Sequence, residues 1–196
     1  HQMREQGMEP YPTRARRTHT TQQARQALEK AEAAASSEEI EATLAGRLRA
    51  IRSMGKIIFA HIEDADGRLQ LFLRLNDLGE EGMKNFNEYF DLGDFVEASV
   101  TLMRTKTGEI SLLTKSLRIL AKAITPLPAA KDEVVDGQVV RHATLTDPEL
   151  RYRQRYADLA VNPDVREIFR TRAAILRTLR NFFDERGFLE VETPIL

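Results

Sequence analysis

Along Arg68-Leu69-Gln70-Leu71-Phe72-Leu73-Arg74-Leu75 apolar and polar positions alternate almost without interruption. Leu69, Leu71, Leu73 and Leu75 share one face, and Arg68, Gln70, Phe72 and Arg74 share the other, which predicts a strand with one side buried. Ile57–Glu63 alternates in the same way: Ile58, Ala60 and Ile62 form a core face and Ile57, Phe59 and His61 turn outward. Asp64-Ala65-Asp66-Gly67 between the two runs is turn chemistry. A strand over 40–52 precedes this pair. A helix over 80–90 follows, then strands over 94–104 and 109–114, joined by the turn Thr105-Lys106-Thr107-Gly108, with 116–124 prolonging the last. Three strands, a helix and two strands in about 85 residues is the element order of the OB-fold, a five-stranded Greek-key barrel. A generic mixed α+β sheet permits the same order.

Upstream, residues 1–20 are polar and basic, with Pro10 and Pro12 bracketing Tyr11, and read as an arm. Thr21–Ala35 is a run of strong helix formers closed by Ser36-Ser37. The expected organisation is an arm and helix over 1–39, the five-stranded domain over 40–124, a linker or elaborated connection over 125–147 marked by Pro126 and Pro128, and a second domain over 148–196. Helix signals return at Asp147-Pro148 and again at Asn162-Pro163, where a longer helix runs to about Arg186 and Gly187 ends it. Phe188–Glu192 reads as a strand. An apolar helix and strand with nothing left to cover them suggest part of a larger protein.

Composition narrows the chemistry. The chain has 196 residues, 42% hydrophobic and 30% charged, with 29 Lys and Arg against 30 Asp and Glu for a net charge of -1. That excludes a globally cationic nucleic-acid binder but not a local basic patch. The absence of cysteine excludes disulfide scaffolds, Cys-ligated metals and thiol nucleophiles. No apolar run reaches membrane-spanning length and the start has no signal-peptide core, so a soluble, cytoplasmic protein is expected, with no membrane partner. The four histidines lack metal-ligand spacing, no metal site is expected, and phosphate-binding glycine loops are absent.

One local excess stands out: Arg47, Arg49, Arg52 and Lys56 lie between Gly46 and Ile58 with no acid among them. If the alternation is right, and a four-residue loop over 63–66 joins the two strands, they flank an exposed aromatic, Phe59, next to the amide of Gln70, with His61 beside Arg68. Such a face stacks bases and reads their edges. The competing reading has Phe59 capped by the N-terminal helix and the arginines forming a solvated edge. The Arg/Tyr weave Arg151–Tyr156 reads as an interdomain strut with some RNA contact.

The weave and its continuation, Arg151-Tyr152-Arg153-Gln154-Arg155-Tyr156-Ala157-Asp158-Leu159, resemble the RYRQRYxDL signature of bacterial-type class II lysyl-tRNA synthetases. Gly46-Arg47, Met54-Gly55-Lys56, Gly67-Arg68-Leu69-Gln70, Leu92-Gly93-Asp94 and Thr105-Lys106-Thr107-Gly108-Glu109 resemble that family's anticodon-binding domain in order and spacing. Gly7–Pro12 is similar to its GxxPYP start, and Arg186–Pro194 resembles class II motif 1. The resemblance implies that Phe59 stacks on the middle uridine of the lysine-tRNA anticodon, that Gln70 reads that base's edge, and that Glu109, with Arg52 nearby, completes the pocket. Arg47, Lys56 and His61 join this anticodon-binding set. Motif 1 implies a homodimer interface at Gly187, Phe188, Glu190, Val191, Glu192 and Pro194. The connection over 129–147 is longer than in many relatives, and its contacts stay unassigned. Motifs 2 and 3, which bind ATP, magnesium and the lysyl adenylate in that family, are absent from this stretch. No catalytic residue is therefore assigned, no cofactor is expected on this stretch, and alone it is expected to be inactive as a ligase. The alternatives are an aspartyl- or asparaginyl-type synthetase and a stand-alone OB-fold single-strand binder. A barrel that merely braces a dimer would bind no RNA.

Overall fold

The computed structural model describes residues 2–36, 38–105, 108–125, 127, 131–135, 138–142 and 145–194. Ser37, Lys106, Thr107, Pro126 and Pro128, named above, lie outside the described residues. The chain divides into two compact units, His1–Pro126 and Leu127–Leu196.

In the first unit a short helix α1 (Gln2–Glu5) lies within the expected arm, and α2 (Thr21–Ala33) follows. Then come β1 (Glu41–Met54), β2 (Ile57–Glu63), β3 (Arg68–Arg74), α3 (Leu75–Tyr89), β4 (Phe95–Arg104) and β5 (Ile110–Ala121). The strands are hydrogen-bonded in the order β1-β2-β3-β5-β4, and the long β1 pairs with β4 over 41–47 and with β2 over 47–54. Gly46 sits where β1 passes from one neighbour to the other. A Cβ there would lie 2.6 Å from the Glu63 carbonyl oxygen, so only glycine lets the backbones approach this closely.

The alternation holds. Ile58, Ala60, Ile62, Leu69, Leu71 and Leu73 are all buried, while their sequence neighbours are half exposed. A one-residue slip would turn Ile58, Ile62, Leu69, Leu71 and Leu73 into water at about 2 kcal/mol each. Leu75, expected on the same strand, instead opens α3 and packs partly buried against the core. Met83, Phe86 and Tyr89 are the buried face of α3.

Two expectations need correction. The five-stranded OB-fold barrel becomes a mixed, OB-like sheet whose β3–β5 edge is a parallel seam of only three register pairs, Gln70↔Ser111, Leu71↔Leu112 and Phe72↔Leu113. The strand read at 188–192 does not form: no described strand lies beside it to share backbone hydrogen bonds, and Glu190 is held to Arg180 instead. Within the segment read as a linker or elaborated connection, β6 (Lys131–Val135) pairs with β7 (Gln138–His142) as a hairpin. Val134-Val135 and Val139-Val140 flanking Asp136-Gly137 carried that signal in the sequence.

The second unit continues with α4 (Pro148–Arg153), α5 (Arg155–Val161) and α6 (Pro163–Asp184). Asp147 caps α4 by accepting from the Leu150 N–H at 2.8 Å. Leu145, Ala157 and Val161 form a small core. No helix among the described residues is long and apolar enough to cross a membrane.

The β2–β3 turn is tied to α2 by one carboxylate. Asp64 accepts from the Thr21 N–H at 2.8 Å, the Thr21 hydroxyl at 2.6 Å, and the N–H groups of Asp66 and Gly67 at 2.9 and 3.1 Å. Burial pushes the Asp64 carboxyl up, but these hydrogen bonds outweigh it and hold it below its usual value. A folded-state pKa below the unfolded one stabilises the fold above the unfolded value and ceases to do so as pH falls through the folded value. Asp64→Ala should therefore cost about 2 kcal/mol in urea unfolding at pH 7. The gap between the two proteins should shrink below about pH 5. A gap unchanged down to pH 2 would contradict this role.

Candidate nucleic-acid interface

The outward faces of β1, β2 and β3, with the β4–β5 turn, surround a pocket of about 630 Å³ lined by Ala50, Arg52, Phe59, His61, Gln70, Phe72, Met103, Thr105 and Glu109. Its floor is aromatic. The β2–β3 register sets Phe59 opposite Phe72, and the rings stack with centroids 5.0 Å apart and planes 14° from parallel. No α2 residue lines the pocket, so that helix does not cap Phe59.

This register corrects the expected cross-strand pairs. Phe59 does not face Gln70, nor His61 Arg68; His61 faces Gln70, and Arg68 faces Glu63. Glu63 still belongs to the strand, because the turn closes one residue later, with the Asp64 N–H donating to the Gly67 carbonyl at 3.0 Å. The shift is two residues in pairing, so every side chain keeps its face.

The wall of the pocket is polar. Gln70 Nε2 donates to Glu109 Oε2 at 3.0 Å, and Ser111 Oγ donates to Gln70 Oε1 at 3.0 Å. His61 Nε2 stands 3.9 Å from Glu109 Oε1. The backbone of Glu109 is clamped to Thr105, whose hydroxyl accepts from the Glu109 N–H at 3.1 Å and whose N–H donates to the Glu109 carbonyl at 2.9 Å. The Glu109 side chain itself is 53% exposed. A flat apolar floor beside an amide donor and a carboxylate acceptor suits a planar heteroaromatic ring whose edge carries both an acceptor and a donor.

The basic run divides. Arg47 lies over the Phe95 ring at 4.3 Å and its Nη1 donates to the Gly93 carbonyl at 3.3 Å, away from the pocket. Burial lowers its pKa, and Glu63 acts against that. Arg49 pairs with Glu63 at 3.2 Å, both side chains nearly buried. The irregularity in β1 between Leu48 and Ala50 separates these positions from the pocket strand. Lys56 occupies the β1–β2 turn, outside the lining. Arg52, opposite Phe59, brings a cation to the rim. Structure thus brings together Arg52, Phe59, His61, Gln70 and Glu109, and sets Arg47 and Lys56 apart.

Phe72, Met103, Thr105 and Ser111 were not picked out by sequence reasoning as site residues. Phe72 carried a signal, since alternation already put it on the outward face with Gln70. Met103 and Ser111 arrive through the β4–β5 and β3–β5 pairings, which no local pattern announces.

In the second unit, the two alternate arginines of the Arg/Tyr weave serve a buried carboxylate. Asp158, fully buried, accepts from Asn162 Nδ2 at 2.7 Å, from Arg151 Nε at 3.0 Å and from Arg155 Nη1. Burial raises its pKa, but Asn162 and Arg151, with Arg155 adding its charge, hold it below the usual carboxylate value. Tyr152 and Tyr156 are exposed. Gly187, at φ 78°, turns the chain out of α6, and the Phe188 ring packs edge-on against Phe183 at 5.4 Å. Glu190 pairs with Arg180 at 3.0 Å, and Phe188, Glu190, Val191, Glu192 and Pro194 are exposed. Among the described residues no group of three or more His, Asp and Glu could hold a metal ion.

Residues 42–120 match the OB-fold nucleic acid binding domain family, and residues 147–196 match the tRNA synthetases class II (D, K and N) family. The two stretches thus resemble, in chain order, a nucleic-acid-binding domain and part of a class II tRNA synthetase. Along its length the sequence is similar to those of bacterial lysine–tRNA ligases. It is 47% identical over 199 residues to the enzyme of Roseiflexus castenholzii, covering 99% of this chain and 37% of that protein. It is 48% identical over 201 residues to that of Chloroflexus aurantiacus, covering 100% and 37%, and 44% identical over 195 residues to that of Pelotomaculum thermopropionicum, covering 100% and 35%. The chain thus spans a little over a third of the length of the curated relatives it matches.

The division of the basic run has a measurable consequence. Arg49→Ala removes a nearly buried partner of Glu63 and should cost about 3 kcal/mol of stability. Arg52→Ala, at the rim, should change stability by less than about 0.5 kcal/mol. Denaturant unfolding of the two variants checks this, and equal losses would contradict the assignment.

Proposed function

We propose that the first unit recognises the anticodon of lysine tRNA as part of a lysine–tRNA ligase that joins lysine to its tRNA with ATP. One observation carries the reading: the stacked Phe59 and Phe72 floor meets the Gln70–Glu109 donor and acceptor in a single open pocket, with Arg52 at its rim. A uridine fits that chemistry. Its face stacks on the ring of Phe59, while the amide donates to a ring carbonyl oxygen and the carboxylate accepts from the ring N–H. Cytosine offers a bare ring nitrogen where uridine has that N–H, so the carboxylate disfavours it. The similarity to lysine–tRNA ligases along the full chain supports lysine tRNA over the aspartate or asparagine species.

The second unit contributes to pairing with another copy of the protein. The exposed Phe188, Leu189 and Val191, beside the exposed Ile175 and Leu179 of α6, support a dimer contact that includes Gly187, Glu190, Glu192 and Pro194. ATP and magnesium belong to the rest of the ligase, and the cytoplasm, where tRNA is charged, is its place of work.

Titration of the chain with a lysine anticodon stem-loop, UUU against UCU, at two salt concentrations tests the reading. Preference for UUU should persist at the higher salt, because stacking and edge contacts do not depend on counterion release. Binding that treats both loops alike and fades with salt would overturn it in favour of a general single-strand binder. Phe59→Ala should lose about 1–3 kcal/mol of binding. Arg52→Ala should weaken both loops and flatten the salt dependence by about one unit of slope.

A further inference from the structure

Gln70 is held from two sides by partners of very different exposure. Glu109 is half exposed, at the mouth of the pocket, and its carboxylate is free to turn towards a ligand. Ser111 is fully buried, on the parallel seam directly beside Gln70, and its hydroxyl donates to Gln70 Oε1 at 3.0 Å. An amide is nearly symmetrical in shape, so only its partners decide whether oxygen or nitrogen points a given way. When a base enters and draws Glu109 away, Ser111 is the partner that stays.

We infer that Ser111 is a specificity-positioning residue: its buried hydroxyl holds Gln70 Oε1 inward so that Gln70 Nε2 presents a donor to the base edge, and the pocket thereby prefers a uridine carbonyl to a cytosine amine. The inference rests on the anticodon reading above. Ser111 does not touch the RNA; it acts through Gln70. Without the hydroxyl the amide can rotate and offer its oxygen to the pocket, where it would accept from the amine of cytosine. Base preference should then relax while the stacking floor, built by Phe59 and Phe72, keeps its hold on either base.

The test compares the chain with Ser111→Ala and Ser111→Thr, using the UUU and UCU stem-loops as probes and thermal unfolding to verify the fold. Ser111→Ala should reduce the preference for UUU over UCU about tenfold, mainly by tightening UCU and weakening UUU, with the mean affinity little changed. Ser111→Thr keeps a hydroxyl and should retain the preference; where the extra methyl prevents folding, Gln70→Ala supplies the comparison, since the effect of Ser111→Ala should vanish in its presence. A Ser111→Ala protein that folds and discriminates like the parent overturns the positioning role. Equal weakening of both loops also overturns it, since that marks a purely structural effect. A parent chain with no preference for UUU overturns the anticodon reading itself, and the inference with it.

Discussion

The carboxylate of Asp64 accepts four hydrogen bonds, two from Thr21 at the start of α2 and two from its own turn, and the arrangement of the pocket depends on that clamp. By closing the turn at Asp64 and Gly67 it sets Phe59 against Phe72 and His61 against Gln70. Burial of the leucines on β3 decides which face looks outward, but it cannot choose between pairings two residues apart, since these bury the same side chains. The turn makes that choice. The aromatic floor is thus a product of turn chemistry as much as of hydrophobic burial.

What the sequence reveals follows the range of the interaction. Alternation is local, and it correctly turns Phe59, Gln70 and Phe72 away from the core. Register depends on where a turn closes, and counting loop residues misplaced it by one at Glu63. The β3–β5 seam is non-local, and with it Ser111 stayed out of sight. A charge run shows how many cations are near in sequence, not which of them are engaged. Arg49 is half of a nearly buried pair and Arg47 lies on Phe95, so the groove is less basic than the run of four suggests. At 188–192 the strand pattern was real as a pattern, yet a strand needs a neighbour for its backbone groups, and Glu190 is held to Arg180 instead.

A pocket with an aromatic floor, an amide and a carboxylate, and Arg52 at the rim is built for discrimination more than for grip. Phosphate contacts strengthen binding to any sequence, whereas stacking and edge hydrogen bonds separate one base from another. The negative carboxylate of Glu109 would repel a strand that it did not also recognise. That combination suits a domain whose partner is selected among many similar RNAs, with the remaining contacts made elsewhere on the molecule.

The central claim is that the Phe59–Gln70 face receives the middle base of the anticodon. The most direct measurement is an NMR titration of the chain with the UUU stem-loop, following side-chain and backbone resonances. Perturbations concentrated at Arg52, Phe59, His61, Gln70, Phe72 and Glu109, with the Gln70 side-chain amide among the largest, are predicted. Perturbations that bypass Phe59 and Gln70 and gather on another surface would contradict the claim.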